Sequence, residues 1–172
     1  MTTVVFPVAI WAVGRLTPAR ADGSFVSDAS GRVVGSTLIG QSFTGSPWFW
    51  PRPSVAGQGY DAQASGGSNL GADNAALVDA IGRRKAAVAA ADGVDPGSVP
   101  ADAVTASGSG LDPDISPDYA RLQAARVARA RNLPVGSVLA LVDAHVTGRI
   151  LGFLGEPRVN VLELNLALER MR

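Results

Sequence analysis

Residues 4–13 (VVFPVAIWAV) form an unbroken apolar run of ten, and its length limits what the chain can fold into. A helix that spans a bilayer needs roughly 20 apolar residues. Only Met-Thr-Thr precedes the run, so it has neither the basic start nor the small-residue cleavage site of a secretory leader. Two readings stay open from the residues alone: the first strand or helix of a soluble domain, or the second half of a spanning helix whose first half is missing. Pro7 would bend a free helix, although helices packed around it in a membrane make it tolerable. Arg15 and Arg20 on the downstream flank hint at a cytoplasmic body, by a tendency that compares two flanks where one is present.

The sequence after this run suits one α+β domain. A hydrophobic share of 47% argues against global disorder, and 20 glycines and 11 prolines call for many turns between short elements. Residues 21–46 read as short strands, with the run from Arg32 through Gly35 to Phe43 mixing β-branched and aromatic residues with glycine. A helix is predicted from a cap at Asp73 or Asn74 to about Ala91. Ala103 to Ala106 suits a short strand. Ser116 caps a second helix with Pro117 at its first position, and Tyr119, Leu122, Val127 and Ala130 line one side. A third helix, 137–146, presents Val138, Leu141, Val142 and His145. In 159–172 the leucines at 162, 164, 166 and 168 alternate as in a strand, while Asn160 and Glu163 resemble a capping box; we read this run as helix. The expectation is therefore short strands with about four helices, after an apolar start.

Several chemistries are excluded. There are no cysteines, so disulfides, thiolate metal sites and cysteine nucleophiles are ruled out, and His145 is the single histidine. Fifteen acids balance fifteen bases, which gives no nucleic-acid footprint. Ser107 and Ser109 lack the glycines two positions before and after that a nucleophile elbow requires, which argues against a hydrolase triad with His145 and Asp112. Ser65, Gly66, Gly67, Ser68 and Asn69 form a loop upstream of a helix that could cradle an anion. The loop lacks a Walker lysine and the third glycine of a dinucleotide fingerprint, and a turn that needs positive φ is the plainer reading.

Charge is uneven along the chain. No base lies between Lys85 and Arg121, where Asp92, Asp95, Asp102, Asp112, Asp114 and Asp118 all fall. The plain reading is a solvated acidic loop leading into a basic helix face; the functional one is a cation-attracting surface. Asp112, Asp114 and Asp118 do not have the spacing of an EF-hand, so no bound metal is expected. Trp48, Phe49 and Trp50, with Arg52 close behind, gather aromatic area among prolines, and core and partner contact both use such residues. Three neighbouring aromatics do not easily all face inward, so we read these four as partner-contact residues.

No one motif decides the matter, but their order does. Along the chain come ADGS (21–24), GSTLIGQ (35–41), Phe49 with Arg52-Pro53-Ser54, ASGGSNL (64–70), VTASGSGLD (104–112), Ile115-Ser116-Pro117, RVA (126–128) with Ala130-Arg131, and GEPRVNV (155–161) with LNLAL (164–168). In that order they resemble the C-subunit family of the bacterial potassium-transporting Kdp ATPases. Asp114 departs from the family's pattern, where histidine is common. The resemblance implies residues 1–16 as a truncated transmembrane anchor, with Phe6-Pro7 at the family's anchor position, and 17–172 as a soluble domain outside the cytoplasm. It implies a single-pass protein of the bacterial plasma membrane, non-catalytic, that assembles or stabilises the pump and caps its potassium entrance. Implied partners are a pore-forming potassium-binding subunit, a P-type ATP-hydrolysing subunit and a small single-helix subunit. No cofactor is expected; ATP enters only through the family's alternative role, a nucleotide-binding module that raises the catalytic subunit's ATP affinity. The chain itself has no Asp-Lys-Thr-Gly phosphorylation motif.

Overall fold

A computed structural model describes residues 2–171, so Met1 and Arg172, at the outer ends of the two expected segments, lie outside the described residues. The chain divides into two compact units, 2–38 and 39–171.

In the first unit the apolar run becomes α1 (Thr2–Gly14), with Pro7 inside it and no residue buried. At 1.5 Å per residue it rises roughly 20 Å, against roughly 30 Å of bilayer hydrocarbon. Among the described residues no helix is long and apolar enough to cross a membrane. A single turn, α2 (Pro18–Ala21), follows where the sequence predicts no element. Then β1 (Phe25–Ser27) and β2 (Val33–Ser36) pair antiparallel. The Asp28 carboxylate closes their turn by accepting from the N–H groups of Ser30 and Arg32. The strand expected to continue to Phe43 stops at Ser36. Its hydroxyl donates to the Gly23 carbonyl at 2.6 Å and accepts from the Leu38 N–H at 3.2 Å, which turns the chain out of the ladder.

The second unit holds the four helices expected there. The first is α3 (Ala75–Asp92), capped by Asn74 and ended by Gly93 at φ +69°. Next is α4 (Pro117–Arg131), where the Ser116 side chain accepts from the Tyr119 N–H and Asn132 ends the helix at φ +55°. Then come α5 (Val135–Ala144) and α6 (Val161–Glu169), the latter capped by Asn160 onto the Glu163 N–H. The predicted third helix thus starts two residues early and stops short of Val146, which enters a strand. A three-stranded antiparallel sheet, β3 (Asp114–Ile115), β4 (Val146–Thr147) and β5 (Arg158–Asn160), runs in the order β3-β5-β4. The strand expected at 103–106 is instead a 3-10 turn, Ala101–Ala103, held by the Thr105 hydroxyl on the Ala101 carbonyl at 2.8 Å.

The core lies where α4 packs on α5 and the sheet. Ala120, Ala124, Val127 and Ala128 of α4 meet Val138, Val142, Ile115, Val159, Leu164 and Leu168. The alanines let the neighbouring elements approach closely. One expectation about α4 is corrected: Ala130 is exposed, and the buried side includes Gln123 and Arg126. Those two polar side chains lead to the candidate site.

Candidate functional site

Residues 42–54 (SFTGSPWFWPRPS) cross the second unit without helix or strand. Pro47, Pro51 and Pro53 have no N–H to offer a ladder, so the segment cannot join a sheet along its length. Its buried backbone still needs partners. Side-chain amides supply them. Asn165 of α6 accepts from the Phe49 N–H at 2.9 Å and donates to the Phe49 carbonyl at 3.0 Å. Gln123 of α4 does the same for Trp50, at 2.7 and 3.1 Å. Each amide imitates one rung of a β-ladder.

Arg126 completes the strap. Its guanidinium donates to the carbonyls of Ser46 and Trp48, both at 2.9 Å, and to the Gln123 Oε1 at 2.7 Å. Its Nε donates to Asp92 Oδ1 at 2.8 Å, and its plane lies 3.9 Å over the Trp50 ring. The two side chains of this ion pair are 5% and 0% exposed. Burial drives Asp92 above the ordinary carboxylate range, with Arg126 pulling the other way. Arg131 donates to the Pro47 carbonyl at 2.7 Å and covers the Trp48 ring at 4.4 Å.

For the predicted partner-contact residues the outcome is mixed. Phe49 is fully buried and belongs to the core, which corrects its assignment to a contact surface. Trp48, Trp50 and Arg52 are half-buried. The tryptophans escape the crowding that three neighbouring aromatics would meet inside by stacking under guanidinium groups, Trp48 under the half-buried Arg131 and Trp50 under the buried Arg126.

The acidic run is corrected in one respect: in space it is compensated. Asp92 pairs with Arg126, Asp112 with Arg52 at 2.9 Å, Asp114 with Arg158 at 2.9 Å, and Asp118 with Arg121 at 3.6 Å. Asp92 does not reach the surface. Asp102 caps instead, accepting from the Ser116 N–H at 2.7 Å and hydroxyl at 2.9 Å, and Asp95 accepts from the Gly97 N–H at 2.6 Å. Arg52, Asp102, Asp112, Asp114, Glu156 and Arg158 line a cleft of about 500 Å³, four carboxylates against two guanidiniums. Burial raises Asp114 despite Arg158 beside it. Among the described residues no cluster of three or more histidine and carboxylate side chains is arranged to hold a metal.

The glycine loop is placed by backbone contact with 107–112. Ser109 accepts on its carbonyl from the Gly66 N–H at 2.8 Å and the Ser65 hydroxyl at 2.9 Å. Gly110 sits at φ +67°, where a Cβ would come within 2.7 Å of the Gly66 carbonyl, so only glycine fits. Gly67 packs on Gly108, and Ser68 and Asn69 are exposed. The turn at 71–74 separates this loop from α3, so it does not run into a helix N-terminus as a phosphate cradle would. Nearby, the Ser54 hydroxyl donates to the Gly110 carbonyl at 2.6 Å, and the hydroxyl of the half-buried Tyr60, its pKa pushed up by desolvation, donates to the Arg52 carbonyl. Four of the ordered blocks (Gly40, 52–54, 64–70 and 104–112) therefore meet in one place, since the Gly40 N–H also donates to the Leu111 carbonyl at 2.8 Å.

Sequence reading missed Gln123, Arg126, Arg131 and Asn165 as structural anchors. The available signal was the small residues around them, Ala120, Ala124 and Ala128, which mark a closely packed helix face.

Comparison with known proteins agrees with the ordered blocks. The family model described as KdpC: K+-transporting ATPase, c chain, matches residues 1–170. The potassium-transporting ATPase KdpC subunit of Kineococcus radiotolerans is 62% identical over 165 residues, covering 96% of this chain and 84% of that relative. The proteins of the same name from Myxococcus xanthus and Geobacter sulfurreducens are 52% and 50% identical, covering 99% and 97% of this chain and 81% and 88% of theirs. The chain belongs to the KdpC family, the c chains of K+-transporting ATPases.

Proposed function

We propose that the chain is a non-catalytic accessory subunit of an ATP-driven potassium uptake pump, which holds the assembly together and caps the potassium entrance of the pore-forming subunit. The observation that carries this reading is the family match across residues 1–170. Its partners on this reading are the pore-forming potassium-binding subunit, the P-type ATP-hydrolysing subunit and a small single-helix subunit, at the bacterial plasma membrane with most of the chain outside the cytoplasm. The strap at 42–54 supports a scaffolding role, since its backbone is pinned by buried side chains rather than left to move. The cleft gives the entrance role modest support: Asp112, Asp114 and Glu156 are paired with Arg52, Arg158 and Arg149, so the net negative charge that would raise local cation concentration there rests on Asp102. Discrimination of potassium from sodium would not come from such a cleft; a filter of carbonyls in the pore does that.

The nucleotide-binding alternative has less support. The Gly66 N–H already serves Ser109, and the loop stands apart from α3. Calorimetric titration of ATP into the isolated chain separates the two readings. Heat of dilution alone is expected. A saturable low-micromolar isotherm, abolished by Gly67→Val, would replace the accessory reading with the nucleotide one.

A further inference from the structure

The strap borders a second cleft, of about 390 Å³, lined by its own Phe43, Trp50, Pro51 and Pro53 and by Val88 of α3. Among the described residues no carboxylate lines this cleft, whereas two guanidiniums do, those of Arg52 and Arg84. Arg52 is neutralised by Asp112 at 2.9 Å. Arg84, on α3, forms no ion pair among the described residues, and its one hydrogen bond runs from Nη1 to the Val104 carbonyl at 3.0 Å. That bond fixes the guanidinium at the wall and leaves most of its N–H donors free. Tyr119 of α4 supplies a further donor. It lines the same cleft and is 1% exposed, yet its hydroxyl has no hydrogen-bond partner among the described residues. Burial raises the phenol's pKa, so it keeps its proton at neutral pH. Buried polar groups are almost always bonded, and an unbonded one at a cavity wall marks where a ligand's acceptor would sit.

We infer that this cleft is a binding site for a small aromatic carboxylate. Its volume, its largely apolar walls and its few fixed polar groups are those of pockets that hold small organic molecules. A carboxylate accepts hydrogen bonds only, and the free groups Arg84 and Tyr119 offer it a charged donor and a neutral one. The unpaired positive charge of Arg84 supplies the complement to its negative one. The flat faces of Phe43, Trp50 and the two prolines suit a planar apolar body. The site lies apart from the acidic cleft, with Arg52 alone of these charged side chains lining both. It goes beyond the accessory-subunit reading and does not depend on it.

The test is an NMR titration of the full chain with hydrocinnamate and with its uncharged amide. The signal to follow is the Trp50 indole N–H, bonded to the Gly45 carbonyl at 2.8 Å in the cleft wall. Hydrocinnamate should saturate with a Kd of about 0.1–1 mM, weak because the ligand has few atoms, and the amide should bind at least tenfold more weakly. Arg84→Gln keeps a donor for the Val104 carbonyl but removes the charge, so it should weaken the carboxylate tenfold and leave the amide unchanged. Tyr119→Phe loses a hydroxyl that has no partner. It should melt no lower than wild type and bind the carboxylate several-fold more weakly. If Arg84→Gln melts lower, Tyr119→Phe decides alone by the same readout. Equal binding of acid and amide, no saturation tenfold above the expected range, or wild-type affinity in the variants would overturn the inference. Binding by the isolated chain that is lost in the assembled pump would put another subunit in the cleft, and would overturn it as well.

Discussion

Replacing Arg126 by alanine is expected to lower folding stability by about 3–5 kcal/mol, because it leaves one member of a buried ion pair without its partner. The Asp92 side chain is 0% exposed and its Oδ2 already lacks a partner, so the whole carboxylate would be uncompensated. The same change strips donors from the Ser46 and Trp48 carbonyls and from Gln123 Oε1, and removes the cover over Trp50. Urea midpoints measure the loss, and a change below about 1 kcal/mol, the size of an exposed pair, would contradict it. The pH dependence has a definite sign. Burial already holds Asp92 above its ordinary value of 3.8, and without the guanidinium it moves higher still. A carboxyl whose folded pKa exceeds its unfolded one destabilises the fold while ionised. The variant's penalty is therefore fully present above the folded pKa and shrinks as pH falls through it towards 3.8. The gap between variant and wild type should be narrower at mildly acidic pH than at neutral pH.

Asn165→Leu is the second large effect. Leucine fills a similar volume but offers nothing to the Phe49 N–H and carbonyl, both bonded to the Asn165 amide with the residues 0% and 1% exposed. Each orphaned buried group costs about 1–3 kcal/mol, so the sum is about 2–6 kcal/mol. Hydrogen exchange gives a local readout. The Phe49 amide should exchange as slowly as the core of α6 in the wild type and far faster in the variant. A protected Phe49 amide in Asn165→Leu would show that the strap has another anchor.

The contrast between these anchors and the helix caps shows what the sequence could reveal. Asn74, Ser116 and Asn160 cap their helices through contacts two or three residues away, and so were readable locally. The strap was not, because Gln123 and Asn165 lie 73 and 116 residues from the backbone they pair. Helical periodicity also assigns glutamine, arginine and asparagine to the solvent face, and here tertiary pairing overrides it. The acidic run misled for the same reason: Arg52 and Arg158, which neutralise Asp112 and Asp114, are remote in sequence. Ser36 ended a strand that β-propensity would have continued, because a side-chain hydroxyl competed for the backbone. The ordered glycine blocks were recognisable as a family pattern, while their physical basis, close packing of 65–67 on 108–110, needed coordinates.

The central claim, that this chain completes a potassium pump without catalysing its reaction, is tested most directly by potassium-stimulated ATP hydrolysis in the purified complex. The remaining subunits are measured alone, then with the full chain added, beside the chain by itself. No turnover is expected from the chain alone, and potassium-stimulated hydrolysis should rise on its addition and saturate at one chain per complex. ATP turnover by the isolated chain, or full potassium-stimulated activity in its absence, would contradict a non-catalytic accessory role.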